Sequence, residues 1–119
     1  MGRYVDGFVL PVPKARLDDY LEMARQAGAV WKEYGALEYV ECVADDVSEG
    51  EVTSFPRSVQ LKPDETVIFA WIVYESREAR DRINAQVMAD ERLNQMTPED
   101  TPFDMQRMFF GGFSERVSY

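Results

Sequence analysis

Three charged residues lie at positions that would otherwise belong to apolar strand faces. Asp6, Glu41 and Arg107 each have apolar or aromatic residues two positions before and two positions after them, the spacing at which side chains share one face of a strand. A carboxylate removed from water acquires a raised pKa and can act as a general base. Alternatively, such charges are paired and only fix the strands in register. Both interpretations apply to Asp6, Glu41 and Arg107, which are therefore the candidate site residues.

Histidine is missing from the sequence, and Cys42 is its one cysteine. The lack of histidine argues against Ser-His-Asp and Cys-His nucleophiles, histidine-ligated haem and most zinc or copper sites. Cys42 has no basic neighbour in sequence that would activate it, so we expect a packed, unreactive thiol. No glycine-rich turn between a strand and a helix offers a phosphate-binding loop. The sequence therefore predicts that no metal, haem or nucleotide cofactor is used.

Large aromatic and sulfur-containing side chains on predicted strands are the candidates for a ligand pocket. They are Tyr39, Trp71, Met108 and Phe110. Pockets with such walls take small, largely apolar organic molecules that are oriented by a few polar groups. Asp6, Glu41 and Arg107 are the available polar anchors. The same large side chains are also the usual filling of a core, so a filled interior is the alternative.

Length and charge limit the class of protein. A chain of 119 residues falls in the range of a single domain. Its 13 basic and 22 acidic residues give a net charge of −9, which argues against nucleic acid and anionic membranes as partners. The longest apolar run, Val67–Tyr74, is far shorter than the ~20 residues of a membrane helix, and the first residues resemble a strand rather than a signal peptide. With its single cysteine, the chain is predicted to be a cytoplasmic protein.

Two periodicities alternate along the chain. Alternation of apolar and polar residues, or continuous apolar runs, predict strands over Tyr4–Leu10, Ala36–Val43, Thr66–Tyr74 and Met105–Val117. Spacings of three and four predict a first helix from about Lys14 to Tyr34, ended by Gly35, and a second helix capped by Ser76 with Ala79, Ile83 and Val87 on one face. Pro11 and Pro13 are expected to stop the first strand. The stretch Thr53–Pro56 predicts a short helical turn, and Glu91–Asp104 a long irregular connection.

The order β-α-β-β-α-β predicts an α+β fold, a ferredoxin-like four-stranded antiparallel sheet with both helices on one face. The third and last strands carry apolar side chains on both faces, so the face without helices needs a cover. A second copy of the sheet is the expected cover, which predicts a homodimer. Since such a sheet places its first and last strands side by side, Asp6 and Arg107 are predicted to form an ion pair.

Short segments spread along the chain resemble a known family. They are Tyr4–Phe8, Gly35–Leu37, Val40–Cys42, Asp45–Val47, Trp71–Ile72 with Tyr74, Arg80–Asp81, Pro102–Asp104, Arg107–Met108 and Gly111–Phe113. In this order they resemble the YbaA-like bacterial proteins of unknown function, which are placed in the dimeric α+β barrel superfamily. Ser48 and Thr101 differ from the Pro and Met of that family, both in predicted loops. The resemblance implies the fold and the dimer but no catalytic residue, because the family has no established reaction.

Two classes of function stay open. The wider superfamily includes cofactor-free monooxygenases, lactone isomerases and haem-degrading enzymes, and the lack of histidine argues against histidine-ligated haem here. One class is therefore a cofactor-free enzyme that binds or acts on a small apolar organic molecule. The other is a non-catalytic ligand-binding or protein-interaction module. A roomy cavity with a desolvated Asp6 or Glu41 favours the enzyme, and a filled interior favours the module.

Overall fold

The computed structural model describes residues 2–94 and 100–119, so part of the predicted connection Glu91–Asp104 lies outside the described residues. The elements follow the predicted β-α-β-β-α-β order, with a one-turn helix added before the third strand. They are β1 (Tyr4–Pro13), α1 (Leu17–Tyr34), β2 (Glu38–Val43), α2 (Phe55–Ser58), β3 (Glu65–Tyr74), α3 (Arg77–Met88) and β4 (Phe109–Ser114). Short 3-10 segments cover Lys14–Arg16 and Glu91–Leu93.

The four strands form one antiparallel sheet in the order β2-β3-β1-β4. β1 and β3 pair along their whole length, with Val9 opposite Phe69. β4 pairs with β1 only from Tyr4 to Val9, and β2 is the edge strand on the other side. This strand order, with α1 and α3 between the strands in sequence, is the ferredoxin-like arrangement, and the predicted fold class is confirmed.

Local signals set the helix ends. α1 ends at Gly35, whose φ of 116° lies in the left-handed region that glycine tolerates. α3 begins after Ser76, whose hydroxyl accepts a hydrogen bond from the backbone N–H of Ala79 at 3.1 Å. Ser54 caps α2 in the same way through the N–H of Arg57 at 3.1 Å. The helix ends at Gly35 and Ser76 agree with the sequence predictions, and α2 begins within the stretch Thr53–Pro56 where a short helical turn was predicted.

The core lies between the sheet and the helices α1 and α3. The face of the sheet that packs against these helices is called the helix face here. It includes Leu10, Ile68, Ile72 and Tyr74, all almost fully buried. The α3 side consists of the predicted stripe Ala79, Ile83 and Val87. Burial of these aliphatic side chains is the main force that holds the helices on the sheet.

The opposite side of the sheet, here called the open face, is also apolar. It carries Val5, Gly7, Val9, Val67, Phe69, Trp71, Val73, Phe109, Gly111 and Phe113. α2 and its adjoining loop cover one end of this face, where Val9 and Val67 are buried with Val59. Phe69, Phe109 and Phe113 keep 43%, 47% and 66% of their surface exposed. A single chain therefore leaves an aromatic sheet surface uncovered.

The predicted end of the first strand is wrong. β1 continues through Pro11 to Pro13 instead of stopping at Leu10. The reason is that β4 pairs with β1 only as far as Val9, so one edge of β1 is unpaired beyond that point. A proline without an N–H is tolerated at such an unpaired edge.

The predicted bounds of the last strand are wrong as well. The sequence predicts a strand over Met105–Val117, whereas β4 covers only Phe109–Ser114. A turn precedes it, in which the Arg107 N–H donates to the Asp104 carbonyl at 3.3 Å. The Asp104 carboxylate also accepts from the Gln106 N–H at 2.9 Å. This side-chain turn keeps the preceding residues out of the sheet.

Candidate functional site

Glu41 lies on the edge strand β2, with its side chain on the helix face and against α1. The Tyr20 hydroxyl, from α1, donates to Glu41 Oε1 at 2.6 Å, and the Tyr39 hydroxyl donates to Oε2 at 2.8 Å. Opposite Glu41 on β3 stands Ala70, whose small side chain leaves space beside the carboxyl. Each carboxylate oxygen is therefore held by one neutral hydroxyl.

The surroundings of Glu41 change its acidity. Burial raises the pKa of Glu41 above the usual glutamate value, and the hydrogen bonds from Tyr20 and Tyr39 only partly oppose this. Burial and the neighbouring carboxylate also raise the pKa of both tyrosines, which stay protonated as hydrogen-bond donors. A raised pKa brings the proton exchange of a carboxyl closer to neutral pH, as acid–base work requires.

A cavity of about 190 Å³ lies between α1 and the sheet, next to Glu41. Its walls are mostly apolar and include Phe8, Leu10, Met23, Ala27, Trp31, Ile72, Phe103 and Met108. Tyr20, Tyr39 and Glu41 complete the wall and are its polar part. The structure thus places one hydrogen-bonded carboxyl at the edge of a small apolar space.

The four predicted pocket residues are distributed over two faces of the sheet. Tyr39 and Met108 line the cavity. Phe110 stacks on Phe8 with ring centroids 5.7 Å apart, at the rim of the same region. Trp71 borders the cavity, but the register directs its side chain to the open face, where its ring lies 5.5 Å from that of Phe69. Trp71 and Tyr39 therefore both border the cavity, but their side chains lie on opposite faces of the sheet.

Asp6 is buried on the helix face in a polar cluster of its own. Its carboxylate accepts from Arg80 Nη1 at 3.0 Å and from Asn84 Nδ2 at 3.4 Å, both on α3. The Asn84 carbonyl oxygen accepts from the Tyr74 hydroxyl at 2.9 Å and from Trp31 Nε1 at 3.1 Å. The cluster ties α1, α3 and the sheet together, and Trp31 also lines the cavity.

The predicted ion pair between Asp6 and Arg107 is wrong. The register of β1 and β4 sets Asp6 opposite Gly112, while Arg107 lies in the turn before β4. Arg107 instead binds both carboxylate oxygens of Glu65, each at 2.7 Å.

Arg107 acts as a structural connector. Its Nε donates to Asp104 at 2.8 Å and its Nη1 to the Gln60 carbonyl at 3.1 Å, next to the contacts with Glu65. These hydrogen bonds hold the pKa of Glu65 and of Asp104 below the ordinary carboxyl values. The guanidinium thus fixes the turn before β4 to the start of β3, away from the cavity.

Sequence reasoning missed four residues that build these clusters: Tyr20, Arg80, Asn84 and Gly28. Tyr20 belongs to the apolar stripe of α1, where only its packing was visible. Arg80 and Asn84 are spaced as neighbours on one face of a helix, a signal that could have marked them as a pair directed at one partner. A Cβ on Gly28 would lie 2.7 Å from Tyr39 Cδ1, a close approach that no local pattern shows.

Metal binding, membrane insertion and thiol chemistry are the remaining candidate properties. Within 2–94 and 100–119, no three His, Cys, Asp or Glu side chains are arranged to hold a metal ion. None of the helices in that part of the chain is long and apolar enough to cross a membrane. Cys42 is exposed, so the expected packed thiol is wrong; its place on edge strand β2, opposite Phe69, leaves it uncovered.

The fold and the site define a ferredoxin-like α+β domain with a carboxyl-bearing cavity between its helices and its sheet. The chain belongs to the DUF1428 family, described as a protein of unknown function, whose profile matches residues 3–105. It is 48% identical over 115 residues to the uncharacterized protein YbaA of Escherichia coli K12, covering 97% of both chains. The predicted YbaA-like membership is confirmed.

Solved structures share the fold at low sequence identity. A Bacillus cereus protein assigned as an antibiotic biosynthesis monooxygenase matches with a TM-score of 0.61 and 13% identity, over 100% of this chain and 98% of that one. A nipsnap family protein of unknown function from Agrobacterium tumefaciens matches with a TM-score of 0.59 and 14% identity, over 96% of this chain and 88% of that one. These matches show the fold.

Proposed function

We propose that this protein binds a small, largely apolar organic molecule in the cavity between α1 and the sheet, and that Glu41 exchanges a proton with it. The observation that carries the proposal is a carboxyl, held by the hydroxyls of Tyr20 and Tyr39, in an otherwise apolar wall. Ligand sites typically have this composition, mostly apolar and aromatic with a few fixed polar groups.

The volume of the cavity limits the size of the ligand. It measures about 190 Å³. A dry apolar cavity of about 150 Å³ in another protein holds benzene. One ring with a short substituent therefore fills the space, with the rings of Trp31 and Phe103 among its walls.

Proton transfer is the reaction that this site supports without a co-reactant. As a base, Glu41 accepts a proton from an acidic C–H or O–H of the ligand, and the electron pair of that bond stays on the ligand. As an acid, Glu41 then returns the proton to another ligand atom, so that the net change is an isomerisation with atoms and charge in balance. The hydroxyls of Tyr20 and Tyr39 hold the carboxyl in place between the two transfers. A positioned acid–base group accelerates such a step by roughly 10²–10⁴-fold.

Methionine methyl NMR tests the binding site. Met23 and Met108 line the cavity, whereas Met88 and Met105 are each 60% exposed. Titration with indole or phenol should shift the labelled methyl signals of Met23 and Met108 and leave those of Met88 and Met105 in place. Shifts at all four methyls, or at none, would contradict the proposed site.

Matched variants test the role of each part. Ala27→Leu fills the cavity from α1, and Ala85→Leu adds the same group on the exposed side of α3. We expect the first variant to abolish the methyl shifts and the second to keep them. Glu41→Gln should keep binding but stop solvent deuterium from entering the methyl C–H bonds of bound acetophenone, which are acidic because they adjoin the carbonyl, as measured by mass spectrometry. Binding without any Glu41-dependent exchange would identify a non-catalytic ligand-binding module instead.

We also propose that the open face is covered by a second copy of the chain. Phe69, Phe109 and Phe113 are exposed there, and the register places Gly7 beside Gly111 in the same face. A Cβ on Gly7 would meet nothing within 4 Å, so the centre of the face is a shallow depression between aromatic side chains. Such a surface suits a self-complementary partner, with at least about 1,200 Å² buried in total for a stable pair.

Two phenylalanines of β4 provide a test variant and a matched control for the proposed dimer. Phe113 and Phe110 are equally exposed, at 66% and 65%, but Phe113 belongs to the open face and Phe110 to the helix face. Sedimentation equilibrium at micromolar concentration should show a dimer for the unchanged chain and for Phe110→Glu, and a monomer for Phe113→Glu. A monomeric unchanged chain would refute the homodimer.

A further inference from the structure

Glu41 borders a second space on the side of α1 away from the cavity. An open cleft of about 450 Å³ lies between α1 and the edge strand β2. From α1 it is lined by Leu21, Ala24, Arg25, Gly28, Ala29 and Lys32. The cleft and the cavity have two lining residues in common, Tyr39 and Glu41. These two side chains therefore separate a wide, open space from a small apolar one.

Gly28 makes this partition compact. A Cβ on Gly28 would lie 2.7 Å from Tyr39 Cδ1 and 3.0 Å from Cε1, so the ring packs directly against the backbone of α1. The hydroxyl of the same ring donates to Glu41 at 2.8 Å, which fixes the carboxyl in the partition. Glu41 thus has one side toward the cleft and one toward the cavity.

We propose that Glu41 exchanges its proton with water through this cleft, while the ligand occupies the cavity on its other side. The inference rests on the proposed ligand site, because a ligand that fills the cavity covers that side of Glu41 and leaves the cleft as the side from which water reaches the carboxyl. Tyr39 from β2 and Tyr20 from α1 hydrogen-bond to Glu41, and Ala70 is opposite it on β3. Arg25 and Lys32 from α1 line the cleft, where Arg25 pairs with Glu22 at 3.3 Å and Lys32 Nζ donates to the Leu37 carbonyl at 2.9 Å. Because of Arg25 and Lys32, the cleft is more polar than the cavity on the other side of Glu41.

Two substitutions on α1 distinguish the routes without any ligand. Ala29→Phe fills the cleft, and Ala27→Phe fills the cavity with the same side chain two residues away. The pKa of Glu41 is measured from the δ-carbon NMR shift of labelled glutamate during a pH titration. Closing the route to water should raise that pKa by about one pH unit, whereas closing the other space should leave it nearly unchanged. We expect the rise with Ala29→Phe and not with Ala27→Phe.

Each other outcome overturns the inference. A rise with Ala27→Phe alone would place the water on the cavity side, equal rises would give Glu41 no separate route, and no rise in either variant would mean that neither space solvates it. Where a phenylalanine variant does not fold, leucine at the same position replaces it. Ligand binding is measured independently through the Met23 and Met108 methyl signals, so a failed ligand site and a failed water route give different results.

Discussion

Gly28→Ala is a substitution whose effect on stability can be worked out from the structure. Gly28 is buried inside α1, and the new Cβ would lie 2.7 Å from Tyr39 Cδ1. Ordinary van der Waals contact begins near 3.4 Å, so the ring must retreat by about 0.7 Å. It is restrained on the other side by the ring of Trp31, 5.8 Å away between centroids, and at its tip by the hydrogen bond to Glu41.

Two opposing effects set the magnitude. Alanine stabilises a helix interior by about 1 kcal/mol relative to glycine. Against this, overpacking costs about 1–3 kcal/mol, and weakening a hydrogen bond to a charged group costs about 1.5–3 kcal/mol more. We expect the free energy of unfolding of Gly28→Ala to fall by about 2 kcal/mol, because the loss at Tyr39 exceeds the gain in helix propensity.

A double-mutant cycle measured by urea unfolding checks this reasoning. In the background of Tyr39→Ala there is no ring to displace, so Gly28→Ala should then stabilise the protein by about 1 kcal/mol. The prediction is a change of sign between the two backgrounds. If Gly28→Ala stabilises the protein in both, the ring moves at no cost, and the account of Gly28 as the residue that positions Tyr39 is refuted.

Three further predictions concern the carboxyls of Asp6, Glu65 and Glu41. Asp6→Ala should lower the free energy of unfolding by about 1.5–3 kcal/mol because it removes the buried acceptor of the hydrogen bonds from Arg80 and Asn84, whereas Asp19→Ala in an exposed ion pair should cost less than about 1 kcal/mol; equal losses by urea unfolding would contradict the burial of Asp6. Arg107 lowers the pKa of Glu65, so the ion pair stabilises the fold fully above the ordinary carboxyl pKa and progressively less as the pH falls from that value to the lowered pKa. In a plot of melting temperature against pH, Glu65→Gln should therefore show a smaller decrease on the acid side than the unchanged protein, and parallel curves would count against the pair. The pKa of Glu41 is raised, so the unchanged protein should lose stability as the pH rises from the ordinary glutamate value to the raised one, and Glu41→Gln should lack that loss.

The fold could be predicted because its signals are local. The apolar stripe Ala79, Ile83 and Val87 and the caps at Ser76 and Gly35 each act within a few residues of themselves. The continuous apolar run of β3 indicated a strand with apolar side chains on both faces of the sheet. Such signals depend little on where the other elements lie, which is why the element order was confirmed and only strand ends were wrong.

The partners of the buried charges could not be predicted, because they depend on register and on how α3 crosses the sheet. Asp6 meets Arg80, which is far away in sequence, only after α3 has packed on the helix face. Arg107 looks like a strand residue from its neighbours, but the Asp104 turn removes it from β4. Trp71 has a large aromatic side chain of the kind that lines pockets, but the alternation of side chains along β3 directs it to the open face. Each error concerns a contact between distant segments rather than a local preference.

The helix face carries a buried carboxyl, Asp6, and a half-buried one, Glu41; the groups around them differ, and this difference is the reason to place the chemistry at Glu41. Asp6 has a guanidinium nitrogen at 3.0 Å, so its negative charge is compensated and its role is to hold α3 on the sheet. Among the described residues, Glu41 has no cationic side chain within ion-pair distance, and its hydrogen-bond donors are the neutral hydroxyls of Tyr20 and Tyr39. A buried carboxyl without a counter-charge lowers its free energy by taking up a proton, and it releases that proton when a stronger base or water reaches it. Glu41 stands where an apolar molecule on one side and water on the other could both reach it, which is the arrangement that proton transfer between the two requires.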